Sequence, residues 1–226
     1  MRIQGPDMIK QRQLFDNIYF FRQIEVGPFH NFTYVLGCPD TKKACLIDPG
    51  WETISFLEIL KENKFKLEAL LLTHNHPDHT QSVEELILEV NPKIYTFKEE
   101  THRWSYLSKK IFGLDDNDII SMGNLKLKAL YTPGHTQDGL CFIFDNKIFT
   151  GDTLFVNGCG RCDLPESSPA KLYDSLYNKL KNLPPDLKVY PGHNYGKTPV
   201  STIQEELKSN PFLKMESQEE FIRFRV

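Results

Sequence analysis

The feature that most constrains this sequence is a short apolar strand that runs directly into a cluster of metal-ligand side chains. Residues 67–72 read LEALLL, which has the length and composition of a strand in the interior of a sheet. After Thr73, residues 74–79 read HNHPDH, in which four of six side chains are potential metal ligands. A buried strand delivers its C-terminal residues to a sheet edge, so the sequence predicts a metal site there.

The ligand types in this cluster narrow the choice of metal. Imidazole nitrogens and a carboxylate oxygen suit zinc, ferrous iron or manganese, whereas thiolate sites and all-oxygen sites select other ions. A lone HxH is weak evidence for a metal site, because histidines also occur at strand ends and hydrogen-bond to backbone groups. Four ligand-type residues in six positions are hard to attribute to chance.

Composition favours a soluble enzyme-sized domain and argues against several other classes. The chain has 226 residues, enough for a substantial core. Its net charge of −3 does not imply a strong electrostatic field that would attract nucleic acid or an anionic membrane. No apolar run approaches the roughly 20 residues of a membrane helix, and residues 1–7 lack the apolar core of a signal peptide. We expect a cytoplasmic protein without nucleic-acid or membrane partners.

The cysteines do not resemble a secreted disulfide framework. There are five, an odd number spread along the chain, so reduced thiols are the expectation. Cys159 and Cys162 form a CxxC motif. Such a motif could be a redox pair or half of a zinc knuckle. A second CxxC is missing from the sequence, and packing thiols are favoured over redox function.

Strand and helix patterns alternate along the chain and predict one α/β domain over residues 1–226 with two similar halves. Helices are predicted around the apolar residues Ile54, Leu57 and Leu60, after a capping box at Ser82, after Ser168 with Pro169, and after Thr202. Short strands are predicted at residues 18–24, 32–36, 44–47, 67–72, 94–96, 125–130, 187–190 and on both sides of residues 145–146.

Three later segments repeat the design of a strand that ends in a glycine-containing turn with a ligand-type residue. They are TPGH at residues 132–135, TGD at 150–152 and YPGH at 190–193. Each alone could be a turn residue with a local hydrogen bond. Together with residues 74–79 they supply five histidines and two aspartates, enough for two metals. His30 and His102 lie outside such turns and are expected at the surface or rim.

With these motifs assembled, the sequence resembles the metallo-β-lactamase superfamily, and within it the glyoxalase II-like branch. The resemblance rests on THNHPDH at residues 73–79, TPGHT at 132–136, TGDTLFVNGCGR at 150–161 and YPGHNY at 190–195. It implies an αββα sandwich, with two mixed sheets flanked by helices and the site at the sheet edges.

The resemblance also implies a ligand set for two divalent ions, zinc, iron or manganese. His74, His76 and His135 would bind the first ion, and Asp78, His79 and His193 would bind the second. Asp152 would bridge the two, and the aspartates Asp78 and Asp152 are the expected catalytic residues. Thr73, Asp48, Thr132 and Thr136 are candidates to orient the ligands, although Asp48 could equally be a turn residue before Pro49.

Similarity to glyoxalase II implies hydrolysis of a thioester by attack of a metal-bound hydroxide on the acyl carbon. The substrate would be a small thioester or another thiol-derived molecule, contacted by Arg161 and Tyr195. Asp163 stands where glyoxalase II has an aromatic residue, and only about thirty residues follow Tyr195, so that enzyme's C-terminal helical domain is expected to be truncated here. A homo-oligomer is compatible with the sequence.

Two alternatives stay open. Persulfide dioxygenases share GCGRxD and VSTxxEE segments, which match residues 158–163 and 200–206. In those enzymes one Fe(II) would use His74, His135 and Asp152. Pro77 and Gly192 differ from their usual residues and favour hydrolysis. A non-catalytic, flavodiiron-like partner protein is a third reading, disfavoured by the complete ligand set.

Overall fold

Two six-stranded sheets form the centre of the computed structural model, which describes residues 19–225. The first predicted strand, at residues 18–24, begins at Phe20 in the structure, and Ile18 lies outside the described residues. The expectation that residues 1–7 are not part of a signal peptide also concerns residues outside the described range.

The first sheet is built from consecutive strands in the order β1 to β6. Its first three strands pair antiparallel, and β3 through β6 pair parallel. The strands are β1 Phe20–Val26, β2 Asn31–Cys38, β3 Lys43–Ile47, β4 Lys66–Leu71, β5 Lys93–Phe97 and β6 Ile111–Leu114.

The second half of the chain supplies the other sheet and a small hairpin. The strands are β7 Ile119–Met122, β8 Leu125–Tyr131, β9 Leu140–Phe144, β10 Lys147–Gly151, β11 Leu154–Phe155, β12 Gly158–Cys159, β13 Lys188–Pro191 and β14 Ser201–Thr202. The sheet order is β14-β13-β10-β9-β8-β7, with β10 and β13 parallel and the other neighbours antiparallel. The pair β11 and β12 forms the separate antiparallel hairpin.

Helices follow the strands in both halves. The α-helices are α1 Thr53–Glu62, α2 Pro77–Thr80, α3 Val83–Val90, α4 Pro169–Asp174, α5 Ile203–Ser209 and α6 Gln218–Arg225. A π-helical turn at Ser175–Lys179 and a 3₁₀ turn at Leu180–Asn182 continue α4, and further 3₁₀ turns lie at Lys98–Trp104 and Pro211–Leu213. Across residues 19–225, every helix is too short or too polar to cross a bilayer.

Three buried clusters show that these elements stack in four layers. Tyr34 and Leu71 of the first sheet pack with Phe142 and Phe149 of the second, so this cluster fills the space between the sheets. The outer face of the first sheet packs on α1 and α3, and the outer face of the second packs on α4, α5 and α6. The expected αββα sandwich is confirmed.

The predicted helix around Ile54, Leu57 and Leu60 is confirmed as α1. Its inward face carries Thr53, Phe56 and Leu60, whereas Ile54 is 69% exposed. Burying the Phe56 ring removes a large apolar area from water, which favours this rotation of the helix. The predicted capping box was wrong, because Ser82 has helical dihedral angles and its hydroxyl donates to the Gly50 carbonyl at 3.1 Å.

The caps of the later helices are confirmed. The Ser168 side chain accepts from the backbone N–H of Lys171, with Pro169 at the first helical position. The Thr202 hydroxyl accepts from the backbone N–H of Glu205 at 3.1 Å. Both helices therefore begin where the sequence predicts.

A buried carboxylate on α5 holds the β11–β12 hairpin in place. Glu206, 1% exposed, accepts through Oε2 from the backbone N–H of Asn157 at the hairpin turn and from the Asn210 side-chain amide, both at 2.8 Å. The Asn210 amide also donates to the Gly158 carbonyl at 2.9 Å. The hairpin follows Asp152 directly, so this anchor fixes the chain that leaves the ligand cluster.

We expect Glu206→Ala to destabilise the protein. The substitution removes the acceptor of the buried Asn210 amide and of the part-buried Asn157 N–H, which costs about 1–3 kcal/mol in the free energy of unfolding. Urea unfolding measures this loss, and hydrogen exchange of residues 154–160 should rise. Gln204→Ala, at an exposed position on the same helix, is the control. Equal stability of the two variants would contradict the anchor.

Candidate metal centre

Three imidazoles from two turns meet at the edge of the sandwich. His74 and His76 follow β4, and His135 follows β8. The His76 Nδ1 atom lies 3.1 Å from His74 Nε2 and 3.0 Å from His135 Nε2. The three ligand atoms lie within 4.8 Å of one another, so one ion could contact all of them.

A second group of three lies beside the first. The Nε2 atoms of His79 and His193 are 3.2 Å apart, and Asp78 Oδ2 lies 3.6 Å from the first and 3.4 Å from the second. Asp78 and His79 belong to the single turn of α2, whereas His193 follows β13. This group also satisfies the geometry of a single ion site.

Asp152 lies between the two groups. Its Oδ1 is 3.3 Å from His79 Nε2, and its Oδ2 is 3.3 Å from His193 Nε2 and 3.6 Å from His135 Nε2. The side chain is buried, and Oδ1 has no hydrogen-bond partner among the described residues. The structure therefore brings all seven predicted ligands together, with the carboxylate of Asp152 where it can touch both groups.

The outward-facing nitrogens show which atoms are free to bind an ion. His135 Nδ1 donates to the Arg161 carbonyl at 2.9 Å, and His193 Nδ1 donates to the Phe29 carbonyl at 2.8 Å. A carbonyl can only accept, so each outer nitrogen carries a proton, and the inner Nε2 atom is the one that faces the cluster.

The inward nitrogens suit a bound cation. The His76 Nδ1 atom lies 3.1 Å from His74 Nε2 and 3.0 Å from His135 Nε2, and each neutral imidazole can offer one lone pair to an ion. Burial, together with the neighbouring His79 imidazole, lowers the pKa of His74, and burial beside His135 lowers the pKa of His76. Both are therefore neutral near pH 7, the form that coordinates a metal.

Asp48 and Thr73 hold the ligands from behind. The Asp48 carboxylate, 2% exposed, accepts from the Thr73 backbone N–H at 2.7 Å, the Thr73 hydroxyl at 2.6 Å and His79 Nδ1 at 3.1 Å. The Thr73 hydroxyl in turn lies 3.0 Å from His74 Nδ1, whose N–H it accepts. Of the two readings left open for Asp48, its contacts match the one that orients the ligands.

Two glycines let the backbones approach this closely. A Cβ on Gly192 would lie 2.3 Å from Asp152 Oδ1, and one on Gly151 would lie 2.4 Å from the Thr73 hydroxyl. Gly151 also has a φ of 47°, in the left-handed region. The Gly192 N–H donates to the Gly151 carbonyl at 2.8 Å, which ties two ligand turns together.

Arg161 and Tyr195 lie at the rim of the ligand cluster. The Tyr195 ring is 58% exposed and stacks on His193, with centroids 4.6 Å apart and an interplanar angle of 8°. The Arg161 backbone carbonyl holds His135, while its guanidinium points to solvent and pairs with Asp163. His30 and His102 are exposed and outside the cluster, as expected.

Three contacts that hold the ligands are not predicted by the sequence. Two threonines that the sequence offered as orienting residues do not hydrogen-bond to a ligand. The Asn31 amide donates to Asp78 Oδ2 at 2.9 Å, and the carbonyls of Phe29 and Arg161 orient histidines. Backbone acceptors leave no signal in a sequence. The hydroxyl of Thr132 instead lies 3.1 Å from that of Thr153, and that of Thr136 has no partner among the described residues.

The CxxC cysteines pack in the core beside α4. Burial raises the pKa of the Cys159 thiol to about 12, and burial also raises that of Cys162. A thiol that stays protonated near pH 7 is a poor nucleophile and redox partner. These surroundings agree with packing thiols.

The four-layer sandwich and a paired histidine–aspartate cluster at its edge define a class of metal-dependent enzymes. The family model of the metallo-beta-lactamase superfamily matches residues 26–193. This chain belongs to the metallo-β-lactamase superfamily, as the sequence motifs predict.

The chain is similar to several individual proteins over most of its length. A probable polyketide biosynthesis zinc-dependent hydrolase from Bacillus subtilis is 35% identical over 87% of each chain. A probable hydroxyacylglutathione hydrolase from Schizosaccharomyces pombe is 34% identical over 84% of this chain and 74% of its own. The crystal structure of ETHE1 from Myxococcus xanthus has a TM-score of 0.84 and 33% identity, covering 91% of this chain and 89% of that one.

We expect Asp48→Asn to weaken metal binding without unfolding the protein. The amide keeps the size of the side chain but loses the charge and one acceptor that orient His79 and Thr73. Loss of such an orienting partner typically costs about 10- to 100-fold in metal affinity. Competition with a chromogenic chelator measures this affinity. Asp186→Asn, at an exposed site, is the control, and equal affinity of the two variants would refute the role.

Proposed function

We propose that this protein is a metal-dependent hydrolase of thioesters that binds two divalent ions. The observation that carries the proposal is the completeness of both ligand groups around one shared carboxylate. His74, His76 and His135 would hold one ion, and Asp78, His79 and His193 the other. Asp152, with contacts to both groups, would bridge them.

The chemistry follows from this arrangement. Bound divalent ions would lower the pKa of a water molecule and polarise the substrate carbonyl. The side chain of Asp78 is 22% accessible to solvent, whereas that of Asp152 is 10% accessible. The protein therefore presents one carboxylate toward substrate and keeps the other as the fixed support of the centre.

Thioester cleavage suits the side chains that are present. Water supplies the oxygen that joins the acyl carbon, the carbon–sulfur bond breaks, and the thiolate that leaves takes up a proton from the water. A thiolate is a good leaving group, so the reaction needs no separate general acid. Burial raises the pKa of the Cys141 thiol, which lies beside Thr132 behind the site, to about 12, so it is unsuited to act as a nucleophile.

Names of relatives support this proposal. One is described as a zinc-dependent hydrolase and another as a hydroxyacylglutathione hydrolase, whose substrate is a thioester. Zinc is accordingly the first metal to test, with iron and manganese next. We further propose that the substrate is a small molecule and that the protein acts in the cytoplasm.

A persulfide dioxygenase with one Fe(II) is the second candidate. Two histidines and a carboxylate with open positions are typical of non-haem Fe(II) oxygenases. His135 Nε2 lies 3.6 Å from Asp152 Oδ2, and His74 belongs to the same group of ligands, so that triad exists within the larger cluster. The ligand geometry is compatible with both candidates, and metal content separates them.

Elemental analysis of protein purified without added metal, combined with two assays, tests the proposal. The assays are thioester cleavage and oxygen uptake with glutathione persulfide. Two metals per chain with thioester cleavage would support the hydrolase. Iron near one per chain, with oxygen uptake and no thioester cleavage, would establish the dioxygenase in its place.

We expect Asp152→Ala to abolish either activity, because both metal arrangements depend on its carboxylate. Metal content should fall in parallel. Asp186→Ala removes an exposed carboxylate of the same kind and should leave activity and metal content unchanged. Full activity in Asp152→Ala would rule out the proposed centre.

His193→Ala should separate the two candidates. In a two-metal hydrolase it removes a ligand of the second ion, so one of two metals and most of the activity should be lost. In a one-iron dioxygenase the iron ligands are intact and iron content should be unchanged. Metal analysis and both assays on the same preparation measure this, and retention of two metals would contradict the assigned ligand.

A further inference from the structure

The segment at the start of β2, residues 29–31, supports the second ligand group, to which Asp78 and His193 belong. The Phe29 carbonyl accepts from His193 Nδ1 at 2.8 Å, and the Asn31 amide donates to Asp78 Oδ2 at 2.9 Å. In the part of the chain that the structure describes, no hydrogen bond joins this segment to the three histidines of the first ligand group. The two groups therefore have separate supports.

Two consecutive carbonyls of this segment face the turn that carries His193. The Phe29 carbonyl takes the imidazole, and the His30 carbonyl accepts from the backbone N–H of Asn194 at 2.8 Å. In an extended strand, consecutive carbonyls point to opposite edges. His30 instead has a φ of 56°, in the left-handed region, and this angle sets one peptide plane relative to the next. A left-handed residue is common in short hairpin loops, but here both flanking carbonyls are used by one ligand turn.

Glu25, near the end of β1, ties the His30 side chain to the same turn. Its Oε1 accepts from His30 Nδ1 at 2.6 Å, and its Oε2 accepts from the Asn194 side-chain amide at 2.8 Å. The hydrogen bond from His30 lowers the pKa of Glu25, so the carboxylate is charged near pH 7. The two side chains are 42% and 64% exposed, and an exposed pair adds little to the stability of the whole protein. Its effect is local, on the backbone of His30.

We propose that Glu25 and His30 are positioning residues for the ion of the second ligand group, because they hold the Phe29 carbonyl in the orientation that His193 requires. A left-handed conformation at a residue with a side chain costs free energy and persists only where surrounding contacts impose it. Without them the Phe29 carbonyl would turn away, and His193 would lose the acceptor that orients its ring. This inference rests on the two-metal centre of the proposed function.

The first test varies the backbone preference at residue 30. The left-handed region is strongly disfavoured for the valine of His30→Val, whereas the glycine of His30→Gly adopts it freely. His30→Val should weaken binding of the second zinc ion about 10-fold, the lower end of the loss expected when an orienting partner is missing, and leave the first ion unchanged. His30→Gly should bind the second ion more tightly than His30→Val, although both lack the imidazole. Stepwise competition with a chromogenic chelator measures both affinities.

The second test removes the carboxylate. Glu25→Ala should weaken the second ion selectively by about 2- to 5-fold, the size expected of one exposed ion pair. Glu58→Ala removes an exposed carboxylate of α1 and is the control. Equal loss at both ions, or equal affinities in His30→Val and His30→Gly, would overturn the inference.

Hydrogen exchange of the metal-free protein, resolved by residue, gives a readout that needs neither zinc nor turnover. The Asn194 amide, which donates to the His30 carbonyl, should exchange faster in His30→Val and stay protected in His30→Gly. The Leu140 amide, which donates to the Thr73 carbonyl beside the first ligand group, should not change in either variant. If the unaltered protein binds only one ion, the two-metal hydrolase fails. Exchange at Asn194 then decides the inference: faster exchange in His30→Val alone supports the positioning role, and unchanged exchange overturns it.

Discussion

The convergence of imidazole nitrogens and a shared carboxylate at one edge of the sandwich is the constraint on which the rest of this structure depends. His76 Nδ1 lies 3.1 Å from His74 Nε2 and 3.0 Å from His135 Nε2, and backbone carbonyls accept from the Nδ1 atoms of His135 and His193. Such a cluster suits a bound cation. The glycines, the buried Asp48 carboxylate and the parallel strand ends all serve to keep these atoms converged.

Support for the ligands comes from both halves of the sandwich. The first sheet supplies Asp48, Thr73 and the residues 74–79 turn, and the second supplies His135, Asp152 and His193. The backbone N–H of Phe32 donates to the Gly192 carbonyl at 2.7 Å, and that of Leu140 donates to the Thr73 carbonyl at 2.7 Å, so the two sheets are joined beside the site. The stability of the centre and the packing of the two sheets are therefore coupled.

The rim of the ligand cluster carries both charged and aromatic side chains. Arg161 pairs with Asp163, and the exposed Tyr195 ring stacks on His193. In the proposed function, the ligand cluster would break the bond and these rim residues would contact the substrate. Membership of a family does not fix the substrate, which depends on the residues around the site.

The sequence by itself determined the seven ligand candidates, because histidine and aspartate clustered in residues 74–79 and in three later glycine-containing turns after strands leave a strong local pattern. It also determined most strands and the caps at Ser168 and Thr202, which depend on neighbours in the chain. Only the tertiary structure decided the inward face of α1, the loss of the Ser82 cap and the role of Asp48. It alone showed the backbone acceptors at Phe29 and Arg161, because these contacts join residues distant in sequence through atoms that every residue shares.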